Sequence, residues 1–204
     1  PYVTHATSRY IELGQGGMID RLNLGGDTWL QDSKLTEGGL KGTLLKGKLF
    51  TSFAYYRQEK TAFNPTAGTF DKYKSKGFEV EARYAPTRSL SFTAAATWQR
   101  TDLQNPPFFL GVPPSALGLD PAQTYGGRFV AVGGLIGVKS PLQAPTPQRV
   151  FSINGTYTSK QGWGASLGGT YVSSFYSGYL QQVRLPAYFV TRGALFYNRG
   201  PWSF

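Results

Sequence analysis

The chain has 204 residues, 40% of them hydrophobic and 15% aromatic, and carries a formal net charge of +10. It holds no Cys and one His, His5, which excludes disulfides, thiolate metal sites and a His-based zinc site; no run approaches the roughly 18 apolar residues of a membrane helix. A mean hydropathy of -0.28 leaves a membrane β-barrel open, because barrel strands alternate apolar and polar residues and average out as ordinary.

Residues 1–32 are expected to be mainly surface loop, with a strand or strand end within Tyr2 to Leu13. Gly14-Gln15-Gly16-Gly17 and Gly25-Gly26-Asp27 carry turn chemistry. The chain opens at Pro1 with no charged n-region and apolar h-region, which predicts a piece of a longer chain whose export signal, if any, lies upstream. Residues 33–103 are expected to hold strands. Leu35 to Thr43 reads as a Gly-rich strand, Leu44-Leu45-Lys46-Gly47 as a short turn, and Leu49 to Lys60 as a long strand. In that long strand the wet face is ambiguous, since Leu49, Phe53 and Tyr55 oppose Phe50, Ala54 and Tyr56. A looser connection is expected from Thr61 to Asp71, broken by Asn64-Pro65.

The clearest stretch is the hairpin at residues 78–103. Phe78, Val80, Ala82 and Tyr84 alternate with Glu79, Glu81 and Arg83. After Ala85-Pro86-Thr87-Arg88 the period resumes, with Leu90, Phe92, Ala94, Ala96 and Trp98 against Ser91, Thr93, Ala95, Thr97 and Gln99. Alternate side chains of a strand point to opposite faces, so this hairpin has one apolar and one polar face. The apolar face needs a second sheet or lipid.

Residues 104–147 then form one long Pro- and Gly-rich connection, expected to be extracellular, and strands return over 148–204. Arg149 to Ser159, Trp163 to Phe175 and Ala187 to Asn198 are the expected strands, with turns at Lys160-Gln161-Gly162 and Arg199-Gly200-Pro201. Short turns (44–47, 85–88, 160–162, 199–201) alternate with longer connections (61–72, 104–147, 177–186), as in an up-and-down barrel crossing a membrane. Tyr84 and Trp163 beside short turns, and Trp98 and Tyr171 toward the long loops, lie on the apolar face like interfacial girdles. No fixed repeat supports a propeller. The expected fold is all-β: an antiparallel, up-and-down transmembrane β-barrel segment of about seven to eight strands, an incomplete barrel.

No catalytic residue, metal site or cofactor is expected. Gly164-Ala165-Ser166-Leu167-Gly168 matches a nucleophile elbow, yet sits inside an alternating strand where the elbow needs a strand-to-helix turn. Asn154-Gly155-Thr156 matches a glycosylation sequon mid-strand, and Gly133, Gly134 and Gly137 have no phosphate-loop lysine after them. The basic residues are dispersed, with no arginine-rich helix, so nucleic acid is not an expected partner. Glu79, Glu81 and Arg83 are expected to line a lumen and to help bind the ligand there. In the long loop, Phe108, Phe109, Tyr125, Arg128 and Phe129 are candidates for a ligand vestibule, where aromatics with a cation suit an anionic or aromatic ligand. Lys72, Lys74 and Lys76 share the parity of Phe78, Val80, Ala82 and Tyr84. They are therefore expected on the lipid side, just beyond the apolar band, where they contact lipopolysaccharide phosphates.

These residues resemble the C-terminal barrel half of TonB-dependent outer-membrane receptors. The E-x-G-x-K pattern is Glu37, Gly39 and Lys41, the paired aromatics are Tyr55-Tyr56, and the "kG-E-E" strand is Gly77, Glu79 and Glu81. A "p…ls…aaa" strand follows the hairpin, Pro147 precedes a strand, and Leu185-Pro186-Ala187-Tyr188 precedes the last. The resemblance covers most of residues 33–204. It implies an outer-membrane location in a Gram-negative-type bacterium and transport, with no enzyme activity. The small-molecule ligand would be scarce: a ferric siderophore, cobalamin or a glycan. It also implies partners: outer-membrane lipid and lipopolysaccharide, a plug domain and further barrel strands of a parent chain, and TonB acting through the plug. No plug or TonB box is visible, the family's "N-L-F" closing pattern is absent, and Phe204 is read as a truncation point. About eight strands, against about 22 in such transporters, imply a wall segment cut at both ends. A passive porin or structural barrel, and a soluble carbohydrate-binding β-domain, remain as alternatives of other classes.

Overall fold

A computed structural model describes residues 1–11, 30–64, 69–104, 111–128, 130–131, 142–177, 181, 183–199 and 202–203. Eight long strands form the wall: β1 (Tyr2–Ile11), β2 (Leu30–Leu44), β3 (Leu49–Asn64), β4 (Thr69–Tyr84), β5 (Leu90–Leu103), β6 (Arg149–Thr158), β7 (Trp163–Val172) and β8 (Tyr188–Arg199). Each pairs antiparallel with its predecessor, in the order of the sequence. Two short strands extend this sheet: Leu142–Gln143 pairs with the end of β5, and Trp202–Ser203 with the end of β8. The sheet does not close on itself. Among the described residues no helix is long and apolar enough to cross a membrane, and every wall strand has at least the 10 residues of the shortest ones, enough for a tilted crossing of about 9 to 11.

Register places every outward side chain of the apolar stretch in one continuous field. Tyr55, Phe78, Trp98 and Arg149 share one row across β3 to β6; Phe53, Val80, Ala96 and Phe151 share the next; Thr51, Ala82, Ala94 and Ile153 the one after. Further round, Leu167 and Gly193 continue the row of Gly155 and Phe92. Among the described residues nothing packs on this face. Phe53, Phe78, Trp98, Phe151, Ile153, Trp163, Leu167 and Leu195 are all exposed, while the buried apolar residues among those described are only Ala54, Leu103, Val112, Ala144 and Val172. A soluble sandwich of this size would cover such a face with a second sheet. Among the described residues the face is left uncovered, and the ambiguity at β3 resolves: Leu49, Phe53 and Tyr55 share the face of Phe78 and Val80.

Three expected boundaries need correction. Within residues 1–32, β1 occupies Tyr2–Ile11, inside the stretch Tyr2 to Leu13 where a strand or strand end is expected, and β2 begins at Leu30, ahead of the expected Leu35; residues 12–29 lie outside those described. The expected connection at 61–72 is largely strand. β3 runs on to Asn64 and β4 starts at Thr69, in register from Thr61↔Lys72 to Asn64↔Thr69. The expected loop at 177–186 contains half of a small hairpin, Phe175–Ser177 against Val183–Leu185. All three share one physical cause. In these segments the ladder hydrogen bonds persist without the regular hydrophobic alternation on which a sequence reading of strands depends.

The short turns fall where expected. Between β2 and β3 the turn is a 3-10 segment, Leu45–Gly47, in which Leu45 (φ 52°), Lys46 (φ 55°) and Gly47 (φ 90°) are all left-handed. Between β6 and β7 the Ser159 amide donates to the Trp163 carbonyl at 2.7 Å.

Candidate functional site

The wall has two chemically distinct faces, and candidate residues fall on both. On the inner face the E-x-G-x-K residues of β2 act on Tyr2 of β1. Tyr2 stands directly opposite Gly39, and a Cβ at Gly39 would come within 2.6 Å of the Tyr2 ring, so only glycine leaves room for it. The Tyr2 hydroxyl donates to Glu37 Oε1 at 2.5 Å, and Lys41 Nζ lies 4.6 Å from the ring centroid. Each motif residue thus holds one part of a single tyrosine. Sequence reasoning missed Tyr2, because no amphipathic alternation marks β1.

The same device recurs one strand pair on. Tyr56 stands opposite Gly77, where a Cβ would lie 2.8 Å from the Tyr56 hydroxyl and 2.6 Å from the Trp98 carbonyl oxygen. The Tyr56 hydroxyl donates to Gln99 Oε1 at 3.2 Å, and Gln99 Nε2 donates to the Pro147 carbonyl at 3.1 Å, which ties the end of the long connection to the wall. Glu79 and Glu81 lie on this inner face with Arg83, whose Nε donates to Glu81 Oε1 at 2.7 Å. Around them are small polar groups: Ser75 and Thr101, 2.8 Å apart, and Asn154 and Thr156. Ser166 and Asn154 sit mid-strand in β7 and β6, so neither the elbow nor the sequon has its required context.

The vestibule candidates occupy the opposite end from Arg83. Tyr125 is 75% exposed with a left-handed backbone (φ 51°). Arg128 stacks its guanidinium over Tyr176, 5.5 Å from the centroid, and its amide donates to the Gln181 carbonyl at 2.7 Å. The Arg184 amide donates to the Tyr125 carbonyl at 3.2 Å, and Gly126 bridges to Val183. Segment 125–128 therefore docks against 181–184, joining the two long connections. Arg184 and Tyr176 join the candidate set through this docking, which no local sequence signal reveals. Phe108, Phe109 and Phe129 lie outside the described residues. The Glu79, Glu81 and Arg83 group is not brought together with Tyr125 and Arg128.

On the outer face, Lys72, Lys74 and Lys76 keep the parity expected of them, opposite Thr61, Glu59 and Arg57. Their electrostatic situations differ. Lys72 and Lys74 both reach Glu59, at 2.8 and 3.5 Å. The hydrogen bond and charge of Lys72, with Lys74 adding to them, hold the Glu59 carboxyl below the usual glutamate range; Glu59 stands beyond the apolar band. Lys76 has cations on both sides, Arg57 on β3 and Arg100 on β5.

Comparison with known proteins bears on both faces. The model of the TonB dependent receptor-like, beta-barrel family matches residues 20–204. Similar solved structures include the siderophore receptor PiuA from Acinetobacter baumannii, with a TM-score of 0.69 at 17% identity over 98% of this chain and 27% of that one. The ferric-catecholate import receptor Fiu from E. coli K12, in its closed form, gives 0.62 at 18% identity over 98% and 26%. The ferric yersiniabactin uptake receptor FyuA from Yersinia pestis gives 0.55 at 14% identity over 96% and 26%. At these identities the likeness is one of fold, and the chain spans about a quarter of each structure's length. No curated protein sequence matches.

Proposed function

Because this chain belongs to the family of TonB-dependent receptor-like β-barrels, matched over residues 20–204, we propose that it is a wall segment of an outer-membrane receptor for energised uptake. The parent barrel holds a plug, answers to TonB through that plug, and sits in the outer membrane of a Gram-negative-type bacterium. One observation carries the reading: an eight-stranded open wall whose outer face is a continuous exposed apolar field and whose inner face is lined with hydroxyls, amides and paired charges. Lipid covers the first and the water-filled or plugged lumen meets the second.

A siderophore-type iron complex is the favoured ligand over cobalamin or a glycan. The similar folds are receptors for such complexes, and the docked connections offer two guanidinium groups: Arg128 over the Tyr176 ring, and Arg184, cross-strand from Tyr176, donating to Ser174 Oγ at 3.0 Å. Cations with aromatic faces suit an anionic, aromatic ligand. Glu79, Glu81 and Arg83 line the passage lower in the wall. The strands carry no chemistry of their own.

The test is growth under iron limitation of cells dependent on the full-length receptor. We expect growth on a ferric catecholate only when TonB is present, and uptake reduced about tenfold or more by Arg128→Gln with Arg184→Gln. Free diffusion of small sugars into liposomes bearing the receptor, without TonB dependence of any ligand, would instead identify a passive porin.

A further inference from the structure

The long connection returns to the wall through a break in register. The upper end of β5 pairs with Leu142–Gln143, Leu103 against Leu142, and its lower part with β6, Trp98 against Arg149. Between those two pairs β5 advances five residues, 98 to 103, while the opposing chain advances seven, 142 to 149. The two extra residues form a bulge, Pro145-Thr146-Pro147, opposite Arg100. Ladder bonds bracket it: the Ala144 amide donates to the Thr101 carbonyl and the Gln99 amide to the Gln148 carbonyl, both at 2.8 Å. The bulge gives β5 no backbone donor of its own. Its prolines have no N–H, and the Thr146 amide turns back to the Ala144 carbonyl at 2.8 Å. Among the described residues one bond ties it to β5, from Gln99 Nε2 to the Pro147 carbonyl at 3.1 Å.

We propose that Gln99 is a positioning residue that selects this bulged register over a straight one, and so sets how far the long connection is drawn down over the lumen. The straight register is open to the chain. A slip of two residues keeps every side chain on its own face, because the period of a strand is two. Continuing the pairing of Gln99 with Gln148 upward would set Thr146 opposite Thr101 and Ala144 opposite Leu103. Ladder bonds fall on alternate pairs, so the amides of Thr146 and Ala144 would then donate to β5, and both prolines would land where no N–H toward β5 is needed. Each proline also confines the residue before it to extended backbone, which suits a strand. In that register the Pro147 carbonyl would point away from β5 and out of Gln99's hold. The clamp therefore acts in the bulged register alone. Its other end is fixed, since Gln99 Oε1 accepts from the Tyr56 hydroxyl at 3.2 Å and Tyr56 is seated at Gly77. A slip of two residues raises the leg at 142–144 by about 7 Å along β5, and the connection that carries Tyr125 and Arg128 rises with it.

The ligand side of this inference rests on the uptake reading, and disulfide trapping separates the two. This chain has no Cys, and the full-length receptor is used freed of any other. Asp102 faces Gln143 in the bulged register and would face Pro145 in the straight one. Both are pairs between ladder bonds, with Cα atoms about 4.5 Å apart, within disulfide reach. Asp102→Cys with Gln143→Cys is expected to cross-link at least tenfold more than Asp102→Cys with Pro145→Cys. Adding Gln99→Leu removes one hydrogen bond and should raise the second cross-link about fivefold, while Thr97→Val, on the same face one row below, leaves it unchanged. The receptor locked through 102 and 143 should bind the iron(III) complex of 2,3-dihydroxybenzoate as the unlocked protein does. Locked through 102 and 145 it should bind at least tenfold more weakly, and reduction should restore it. Absence of the second cross-link in both backgrounds, or no rise with Gln99→Leu, overturns the proposal; equal binding by the two locked forms overturns the positioning role. An unlocked receptor that ignores the iron complex, with the cross-link still raised by Gln99→Leu, removes the ligand reading and leaves the register clamp standing. Should Gln99→Leu fail to give a folded band, Gln99→Glu decides by the same cross-links, since its carboxylate still accepts from Tyr56 but cannot donate to Pro147.

Discussion

Replacing Leu167 with arginine tests the wall assignment at its most demanding point. Leu167 is 67% exposed on the outer face of β7, midway between Trp163 by the short turn and Tyr171 by the long connections. Four residues either way at about 3.3 Å each, on a strand tilted about 40°, separate those two rings by about 20 Å of membrane depth, close to the roughly 25 Å apolar band of such barrels. Arginine at that midplane costs about 2 to 4 kcal/mol, falling to about 0 to 1 near the interface. Leu167→Arg should therefore lose about 2 to 4 kcal/mol, and Trp163→Arg, at a site 63% exposed, about 1 or less. The assay is urea unfolding of the full-length receptor in phospholipid vesicles, read from the folded band on unheated gels. On a water-facing surface both changes stay within about 0.5 kcal/mol, so equal and small costs would refute the reasoning.

Gly77→Ala should destabilise the wall by about 1 to 3 kcal/mol. Adding Tyr56→Ala should not restore it, because the Trp98 carbonyl at 2.6 Å still blocks the Cβ; the urea midpoint reports both. Leu45→Asn with Lys46→Gly should stabilise the β2–β3 turn by about 1 kcal/mol, since both residues now hold left-handed backbone; an unchanged or lower midpoint would contradict this. Glu59, its carboxyl held low by Lys72 and then Lys74, keeps its pairing at neutral pH and loses it as pH falls through that lowered value. Carbon-13 NMR should show it titrating below ordinary glutamates, and Lys72→Gln should move the titration upward. Glu59→Gln should leave the urea midpoint unchanged, as exposed pairs contribute little.

Legibility followed the solvent. In β4 through β7 one face is apolar and the other polar, so Phe78 to Tyr84, Leu90 to Trp98 and Trp163 to Tyr171 alternate and can be read directly. In β1 and in the outer reaches of β3 and β4 neither face is regularly apolar. The backbone still pairs there, but the residues are free of any period, and Tyr2–Ile11 reads only as a possible strand or strand end within a stretch expected to be mainly loop. Parity alone placed Lys72, Lys74 and Lys76 on the outer face. It could not say which are neutralised, because Glu59 and Arg57 enter only through the register of a neighbouring strand. For the same reason the row of Arg57, Lys76 and Arg100 is invisible in one dimension. Gly39 and Gly77 could be seen as motif residues, while their task of seating Tyr2 and Tyr56 appears only across strands.

The extension of β3 and β4 past the apolar field has a mechanical consequence. From Tyr55 to Asn64 the hairpin climbs about 30 Å along the strand, and the ladder remains unbroken from Leu49↔Tyr84 to Asn64↔Thr69. It is a stiff beam rooted in the wall. A pull along its axis is shared by many rungs at once, whereas a sideways pull opens them singly from the tip. Whatever load falls on its far end is carried down to the wall itself.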